Sequence, residues 1–234
     1  MRNPEILYAI PAPLPFQTPG EEIANSILHG LGALVAIAGL VLLLLRANSY
    51  LGGTIGGFGG NADEYALAAV SYSLFGVSLI IMFLASTLYH AIQHEGAKRV
   101  FRILDHSAIY FLIAGTYTPF SLLGFRGALG WVYFGIEWGL AATGISLYAA
   151  NCKFIKKAEM VVYLLMGWAL VAGFFRLYRS IPRASIIFLA AGGIAYSMGT
   201  IWYGRHNRRI SHVIWHVFVL AGAVCHWFAI WNMS

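Results

Sequence analysis

Residues 66–92 read ALAAVSYSLFGVSLIIMFLASTLYHAI and contain no Asp, Glu, Lys or Arg. About 20 mostly apolar residues are enough for an α-helix to cross the hydrocarbon core of a bilayer. The whole chain has the same character, because 59% of its 234 residues are hydrophobic and only 10% are charged. Soluble domains usually contain about 25% charged residues. The composition therefore predicts a polytopic membrane protein and excludes a soluble domain.

Seven hydrophobic segments of this kind follow one another along the chain, and we number them 1 to 7. They cover roughly residues 23–45, 66–92, 101–123, 128–150, 159–177, 184–203 and 210–231. The fifth segment is the weakest, because its uncharged run from Met160 to Phe175 is short. Residues 1–22 contain five prolines, of which Pro11, Pro13, Pro15 and Pro19 would break an apolar helix, and they are predicted to form a short N-terminal tail. The predicted fold is thus an all-α bundle of seven transmembrane helices over residues 23–234.

Basic residues between the segments predict the orientation of the bundle. If the N-terminus is inside, the inner connections contain Arg2, Lys98, Arg99, Arg102, Lys153, Lys156, Lys157, Arg205, Arg208 and Arg209. The outer connections then contain Arg46, Arg126, Arg176, Arg179 and Arg183. An excess of Lys and Arg marks the cytoplasmic side. The distribution predicts an inner N-terminus and an outer C-terminus in the inner (plasma) membrane.

Five polar residues lie near the ends of three segments. Ser86 and His90 close segment 2, Asp105 lies just inside segment 3, and His212 and His216 open segment 7. Residues four apart share a face of a helix. With an inner N-terminus, segment 2 ends inside while segments 3 and 7 begin inside, so all five residues fall at one depth. Ionisable groups inside a membrane usually mark a functional site.

The residue types in this group predict a metal site with an open position. His90, His212 and His216 would supply three imidazole nitrogens, which suit Zn²⁺ and leave a fourth tetrahedral position for water. Asp105 would orient that water or take its proton, and Ser86 would hydrogen-bond the water or a substrate carbonyl. Asp105 as a direct ligand stays open. For each residue alone, contact with a lipid headgroup or with a backbone carbonyl is the commoner role.

Some other polar residues receive weaker predictions. His29 lies near the start of segment 1, where it could support a metal ligand. His106 neighbours Asp105 but points about 100° away on a helix, so we leave it out of the site. Glu137 and His226 would contact each other, line a cavity or act as packing contacts between helices.

Three motifs carry a resemblance to a known family: ASTLYH (85–90), RILDHSAIYFLIAGTYTPF (102–120) and SHVIWHVFVLAGAVCHW (211–227). They resemble the hemolysin III family, the bacterial branch of the progestin and adiponectin Q receptor family. The resemblance implies seven helices, an inner N-terminus and a zinc ion held by His90, His212 and His216. It also implies that Asp105 contacts the zinc water and that Ser86 belongs to the site. The likeness of this metal site to that of alkaline ceramidases implies lipid amide hydrolysis.

These observations leave several functions open. The first is a zinc-dependent hydrolase of a lipid amide or ester, with a membrane lipid as substrate. The second is a non-catalytic receptor or sensor in which zinc is structural and lipid is a ligand. A cytolysin and a haem protein are the others, although two histidines one turn apart suit one small metal better than opposed haem ligands. Nothing in the composition requires a nucleic-acid partner, and the oligomeric state stays open.

Overall fold

The computed structural model describes residues 17–48, 62–205 and 210–233, and every regular element in these ranges is helical. The α-helices are α1 (Pro19–Ala47), α2 (Ala62–Ala91), α3 (Glu95–Pro119), α4 (Gly127–Ala149), α5 (Lys153–Gly167), α6 (Phe174–Ser180), α7 (Arg183–Tyr203) and α8 (Ser211–Trp231). A π-helical segment, Phe120–Phe125, follows α3, and a 3₁₀ segment, Ala169–Gly173, separates α5 from α6.

The first helix begins with a complete capping box. The Thr18 side chain accepts a hydrogen bond from the Glu21 backbone N–H, and the Glu21 carboxylate accepts one from the Thr18 backbone N–H at 2.8 Å. Pro19 occupies the first turn, where its missing N–H is not needed. The helix therefore starts before residue 23, the predicted beginning of segment 1. This extension turns Glu22 from a tail residue into part of the helix.

The predicted fifth segment is interrupted. Instead of one continuous helix, α5 ends at Gly167, and the 3₁₀ segment precedes α6. Glycine weakens a helix interior, and Gly167 and Gly173 border the interruption. The Tyr117 hydroxyl accepts a hydrogen bond from the Leu170 backbone N–H at 2.9 Å. A non-helical backbone is tolerated at membrane depth when its polar groups are satisfied in this way.

Membrane-spanning character is clear for six stretches of the described chain. These are Pro19–Ala47, Ala62–Ala91, Glu95–Phe125, Lys153–Ser180, Arg183–Tyr203 and Ser211–Trp231, judged by length and apolar composition. Large apolar side chains such as Leu34, Leu165 and Ile187 are exposed, as expected of a surface in contact with lipid. The helix α4 is 23 residues long but falls outside these six, since it contains Glu137 and several glycines. The seven-helix count and the orientation stay predictions.

The order of packing brings the first and last helices together. The helix α1 packs on α2 and α8, α2 packs on α3, α3 on α4, and α7 on α8. The interface between α2 and α3 is close, because a Cβ on Gly115 would overlap the Ser78 side chain and lie 3.0 Å from the Leu74 carbonyl oxygen. This arrangement places the end of α2 beside the beginnings of α1, α3 and α8.

Candidate metal centre

Three histidines meet where α2 ends and α8 begins. One ring nitrogen from each of His90, His212 and His216 lies within 4.8 Å of the others. The His90 and His216 side chains are buried, and His212 is partly buried. The one-turn spacing of His212 and His216 puts both rings on the face of α8 that meets His90. The three residues that the sequence predicted as ligands are therefore brought together.

The contacts between these rings fit a shared metal ion. The Nε2 atoms of His90 and His216 face each other at 3.0 Å. The His212 Nε2 atom is buried and has no hydrogen-bond partner within the described residues. Buried polar atoms are rarely left unpaired. Three converging imidazole nitrogens, one of them unpaired, form a donor set that suits Zn²⁺ and related divalent ions. The group could hold a metal ion, whose identity the donors alone do not fix.

A second layer of polar contacts orients two of the three rings. The His90 Nδ1 atom lies 2.6 Å from a Glu22 carboxylate oxygen, and Lys98 Nζ donates to the other oxygen at 2.6 Å. The His216 Nδ1 atom lies 2.8 Å from His29 Nε2. Contacts at the distal ring nitrogen fix the orientation and tautomer of metal-binding histidines. His29 therefore lies where the sequence analysis considered it, in contact with a candidate metal ligand.

Sequence reasoning missed Glu22, because residues 1–22 were assigned to a tail. The signal that could have found it is the T-P-G-E pattern of residues 18–21, a capping box that starts the helix before Glu22. Once Glu22 lies in the first turn of α1, its carboxylate is directed towards α2 and α3. A buried carboxylate between an imidazole and an ammonium group is the expected result of that placement.

A cavity of about 580 Å³ opens beside the histidines. Its wall includes His29, Asp105, His212 and His216, but it does not include His90 or Ser86. The volume lies within the range of about 300–1,000 Å³ that is usual for small-molecule sites. The predicted carboxylate therefore shares a solvent-accessible space with two of the candidate ligands.

Ser86 lies beneath this wall rather than in it. Its hydroxyl is buried beside Asp105 and makes no hydrogen bond of standard geometry with any residue in the described ranges. One helical turn separates it from His90 on the same face of α2. The catalytic roles of Ser86 and Asp105 stay predictions.

Comparison with known proteins identifies the family. The model of the family described as haemolysin-III related matches residues 17–227. The chain belongs to the haemolysin-III-related family. A Bacillus subtilis (strain 168) protein named Hemolysin-3 homolog is 42% identical over 210 residues, covering 90% of this chain and 92% of that protein. Hemolysin-3 of Bacillus cereus is 40% identical over 210 residues, covering 90% of each chain.

A human relative extends the comparison beyond bacteria. The protein named Monocyte to macrophage differentiation factor is 30% identical over 168 residues, which covers 68% of each chain. The expected family membership is confirmed, and with it a multi-pass location in the membrane. For a bacterial member of the haemolysin-III-related family, the inner membrane is the plausible location.

One residue that we left out of the site on sequence grounds lies in the wall of the large cavity. His106 lines the same cavity as Asp105, although the two are adjacent in sequence. Its Nδ1 atom lies 3.1 Å from a Glu159 oxygen, and Tyr203 donates to the other Glu159 oxygen at 3.2 Å. An angular separation of about 100° does not exclude two side chains from one cavity when the cavity is wide enough to span both faces.

Glu137 and His226 form no hydrogen bond with each other. His226 Nε2 lies 3.3 Å from the Leu189 carbonyl oxygen and lines a second, smaller cavity of about 90 Å³. Both carboxylate oxygens of Glu137 are buried without a hydrogen-bond partner within the described residues. Of the roles considered for this pair, cavity lining and a packing contact between helices both apply to His226, because Leu189 lies on α7 and His226 on α8.

Proposed function

We propose that this protein is a metal-dependent hydrolase, with zinc as the metal and a lipid amide or ester as the substrate. The observation that carries the proposal is the convergence of His90, His212 and His216 beside a cavity that also contains Asp105. Three histidines without a fourth protein ligand are the pattern of a catalytic metal site rather than of a closed structural one.

The chain's own residues provide the remaining groups that hydrolysis needs. A metal held by the three histidines would supply Lewis acidity, which polarises a carbonyl and makes water more acidic. The Asp105 carboxylate accepts the proton that water loses as its oxygen attacks the lipid carbonyl, and then returns it to the leaving amine or alcohol. The Ser86 hydroxyl is buried beside Asp105 without a hydrogen bond of standard geometry to a described residue, so it would be able to turn and donate to that carboxylate.

The shape of the cavity supports a lipid substrate. Ile109, Leu112, Tyr196 and Trp215 line both the large cavity and the smaller one. The smaller cavity is lined mostly by apolar and aromatic side chains on α3, α5 and α7. A ligand with a polar head near the histidines would therefore have an apolar path for an acyl chain. This division of polar and apolar walls is typical of sites for amphipathic ligands.

Metal content and hydrolysis, measured on the same purified samples, test the proposal. We expect the wild type to retain about one zinc ion and to hydrolyse at least one member of a panel of ceramide, acyl-amide and acyl-ester lipids. His212→Ala should lose both the metal and the activity. Asp105→Asn should keep the metal and lose about 10²-fold or more in turnover, the usual contribution of a general base.

A matched control is available in the connection between α2 and α3. His94→Asn removes an exposed histidine while retaining a side chain able to cap α3, so both metal content and turnover should be unchanged. Metal-loaded wild-type protein that hydrolyses no lipid in the panel would contradict the proposal. Equal turnover in the wild type and Asp105→Asn would contradict the role of Asp105.

The second candidate is a non-catalytic sensor in which the metal ties helices together. The observation that favours it is the polar network that joins α1, α2, α3 and α8 through Glu22, His29, His90, Lys98 and His216. In this case a chelator should lower the thermal midpoint strongly, since a ligand bound only to the folded state stabilises it. A chelator that abolishes lipid hydrolysis without moving the midpoint would rule the sensor out.

A further inference from the structure

One face of α3 lines the large cavity, and its side chains change from polar to apolar along the helix. Arg102, Asp105, His106, Ile109 and Leu112 all line it, and their spacing follows one broad helical face. The polar residues come first, beside the candidate metal centre, and the apolar residues come last. Asp105 is accounted for by the proposed hydrolysis, whereas Arg102 and His106 are not.

Arg102 is a cation in the cavity wall, and it has no anionic partner among the described residues. Its Nε atom is buried and makes no hydrogen bond with the described residues. No ion pair joins Arg102 to a carboxylate in the described ranges, although Lys98 on the same helix is paired with Glu22. A guanidinium group presents several donors in a plane that matches carboxylate or phosphate oxygens. The cavity therefore offers a binding position for an anionic group.

Other carboxylates around the cavity already have partners. Glu21 accepts hydrogen bonds from Thr18 and from the Ile210 backbone N–H at 2.6 Å. Glu159 accepts from Tyr203 and contacts His106. Asp105 is three residues from Arg102 on α3, but the two side chains form no ion pair. An anionic ligand would thus meet Arg102 without first displacing a protein carboxylate.

His106, one turn beyond Arg102, offers an acceptor. Its ring stacks on Tyr148 with centroids 5.1 Å apart and an angle of 13° between the planes. A carboxylate can only accept, so the contact with Glu159 places the proton of a neutral His106 on Nδ1. The Nε2 atom is then an acceptor, and it has no partner within the ranges that the structure describes. A ligand with an N–H or O–H group would donate a hydrogen bond to this Nε2 atom.

We propose that the cavity takes an acyl chain whose amide is followed closely by an anionic group, the chemistry of an N-acyl amino acid. The carboxylate pairs with Arg102, the amide N–H donates to His106 Nε2, and the acyl chain follows Ile109 and Leu112 into the apolar cavity. The inference names a substrate class for the proposed hydrolase and rests on that function for turnover, but ligand binding can be measured without turnover.

Two ligands that differ only in charge test the role of Arg102. N-palmitoylglycine and its neutral glycinamide are titrated into the purified full-length protein, and the two dissociation constants are compared. We expect the wild type to bind the carboxylate about 10-fold more tightly or better, as for a charge-assisted bidentate pair. Arg102→Gln should bind both ligands equally. Equal binding of the two ligands by the wild type would overturn the proposal.

Control variants keep the result interpretable. Arg126→Gln removes a positive charge from an exposed side chain that lines neither the large cavity nor the smaller apolar one, so the preference should be unchanged. Loss of the preference in Arg126→Gln would overturn the assignment to Arg102. If Arg102→Gln does not fold, Arg102→Lys takes its place: it keeps the charge without the planar fork, so a weaker preference is expected and an unchanged one contradicts bidentate pairing.

Two further ligands separate the parts of the assignment. O-palmitoylglycolate lacks the amide N–H and should bind about 3-fold to 10-fold more weakly than N-palmitoylglycine to the wild type, and equally to His106→Phe. Palmitoyl lysophosphatidate carries a phosphate instead, and tighter binding of it than of N-palmitoylglycine would overturn the carboxylate assignment.

Hydrolysis of neutral lipids with no preference for anions supports the proposed function and overturns this inference. The reverse result, anion-selective binding without hydrolysis, overturns the proposed function alone.

Discussion

Two buried glutamates show how differently the two halves of this bundle are held together. Glu22, at the histidine end, has one carboxylate oxygen 2.6 Å from His90 and the other 2.6 Å from Lys98. Glu137, in α4, is 1% exposed, and neither of its oxygens has a hydrogen-bond partner within the described residues. Burial alone therefore says little about the role of a carboxylate, because its partners decide whether it joins helices or merely occupies space.

The same contrast extends to the surrounding helices. At the histidine end, polar contacts cross from α1 to α2, α3 and α8. Elsewhere, close approach is made through glycines, where an added Cβ would meet a neighbouring side chain, as at Gly115, Gly144 and Gly192. In a membrane, small residues that allow close helix packing and interhelical hydrogen bonds are both ways to associate. Both occur in this molecule, but the buried charged contacts of Glu22 lie at the histidine end.

The largest effect is expected at Glu22. Glu22→Gln would leave the Lys98 ammonium group buried without an anion, and removing one partner of a buried pair costs about 3–5 kcal/mol of unfolding free energy. Because the distal nitrogen of His90 also loses its carboxylate, metal affinity should fall about 10-fold to 100-fold. Thermal unfolding in detergent and competition with a chelator measure the two quantities. Glu95→Gln, in a side chain that is 81% exposed, should change stability by no more than about 0.5 kcal/mol.

The next effect is expected from packing in the other half. Gly115→Ala should destabilise the fold by about 1–3 kcal/mol, because the new Cβ would overlap Ser78 and press on the Leu74 carbonyl oxygen. Gly139→Ala is the matched control, since a Cβ there meets nothing within 4 Å. It should be neutral or stabilising by up to about 1 kcal/mol through helix propensity. Equal midpoints for the two variants would argue against close packing between α2 and α3.

A smaller effect is expected at His29, which supports the centre from α1. His29→Leu removes the contact at His216 Nδ1, so metal affinity should fall about 10-fold, the lower end of the range for such supporting residues. Chelator competition measures it, with His94→Asn as the unaffected control. An affinity unchanged from the wild type would show that the ring of His216 is held by its packing alone.

The smallest effect, with the opposite sign to that at Glu22, is expected at Glu137. Glu137→Gln removes an ionisable group from a buried position and breaks no hydrogen bond to a described residue. The free energy of unfolding should be unchanged or should rise by up to about 1 kcal/mol. A drop of about 2 kcal/mol or more, comparable with that of Glu22→Gln, would mean that the two halves do not differ in the way described.

The spacing of residues within one helix could be predicted from the sequence, and so could the depth at which several of them lie. His212 and His216 are one turn apart, and the ends of the hydrophobic segments placed His90 and Asp105 near them. Those inferences needed only helical periodicity and the length of a membrane span. The break between α5 and α6 was not predicted, because it depends on the Tyr117 hydroxyl supplied by another helix.

Glu22 and His106 show what lay beyond the sequence. The sequence by itself determined a helical membrane protein and the set of three histidines, because hydrophobic length and i, i+4 spacing are local properties. Only the tertiary structure decided that Glu22 contacts His90 and that His106 shares a cavity with Asp105. Both depend on how α1, α3 and α8 are rotated about their axes. That rotation results from packing between helices far apart in sequence, which no single segment encodes.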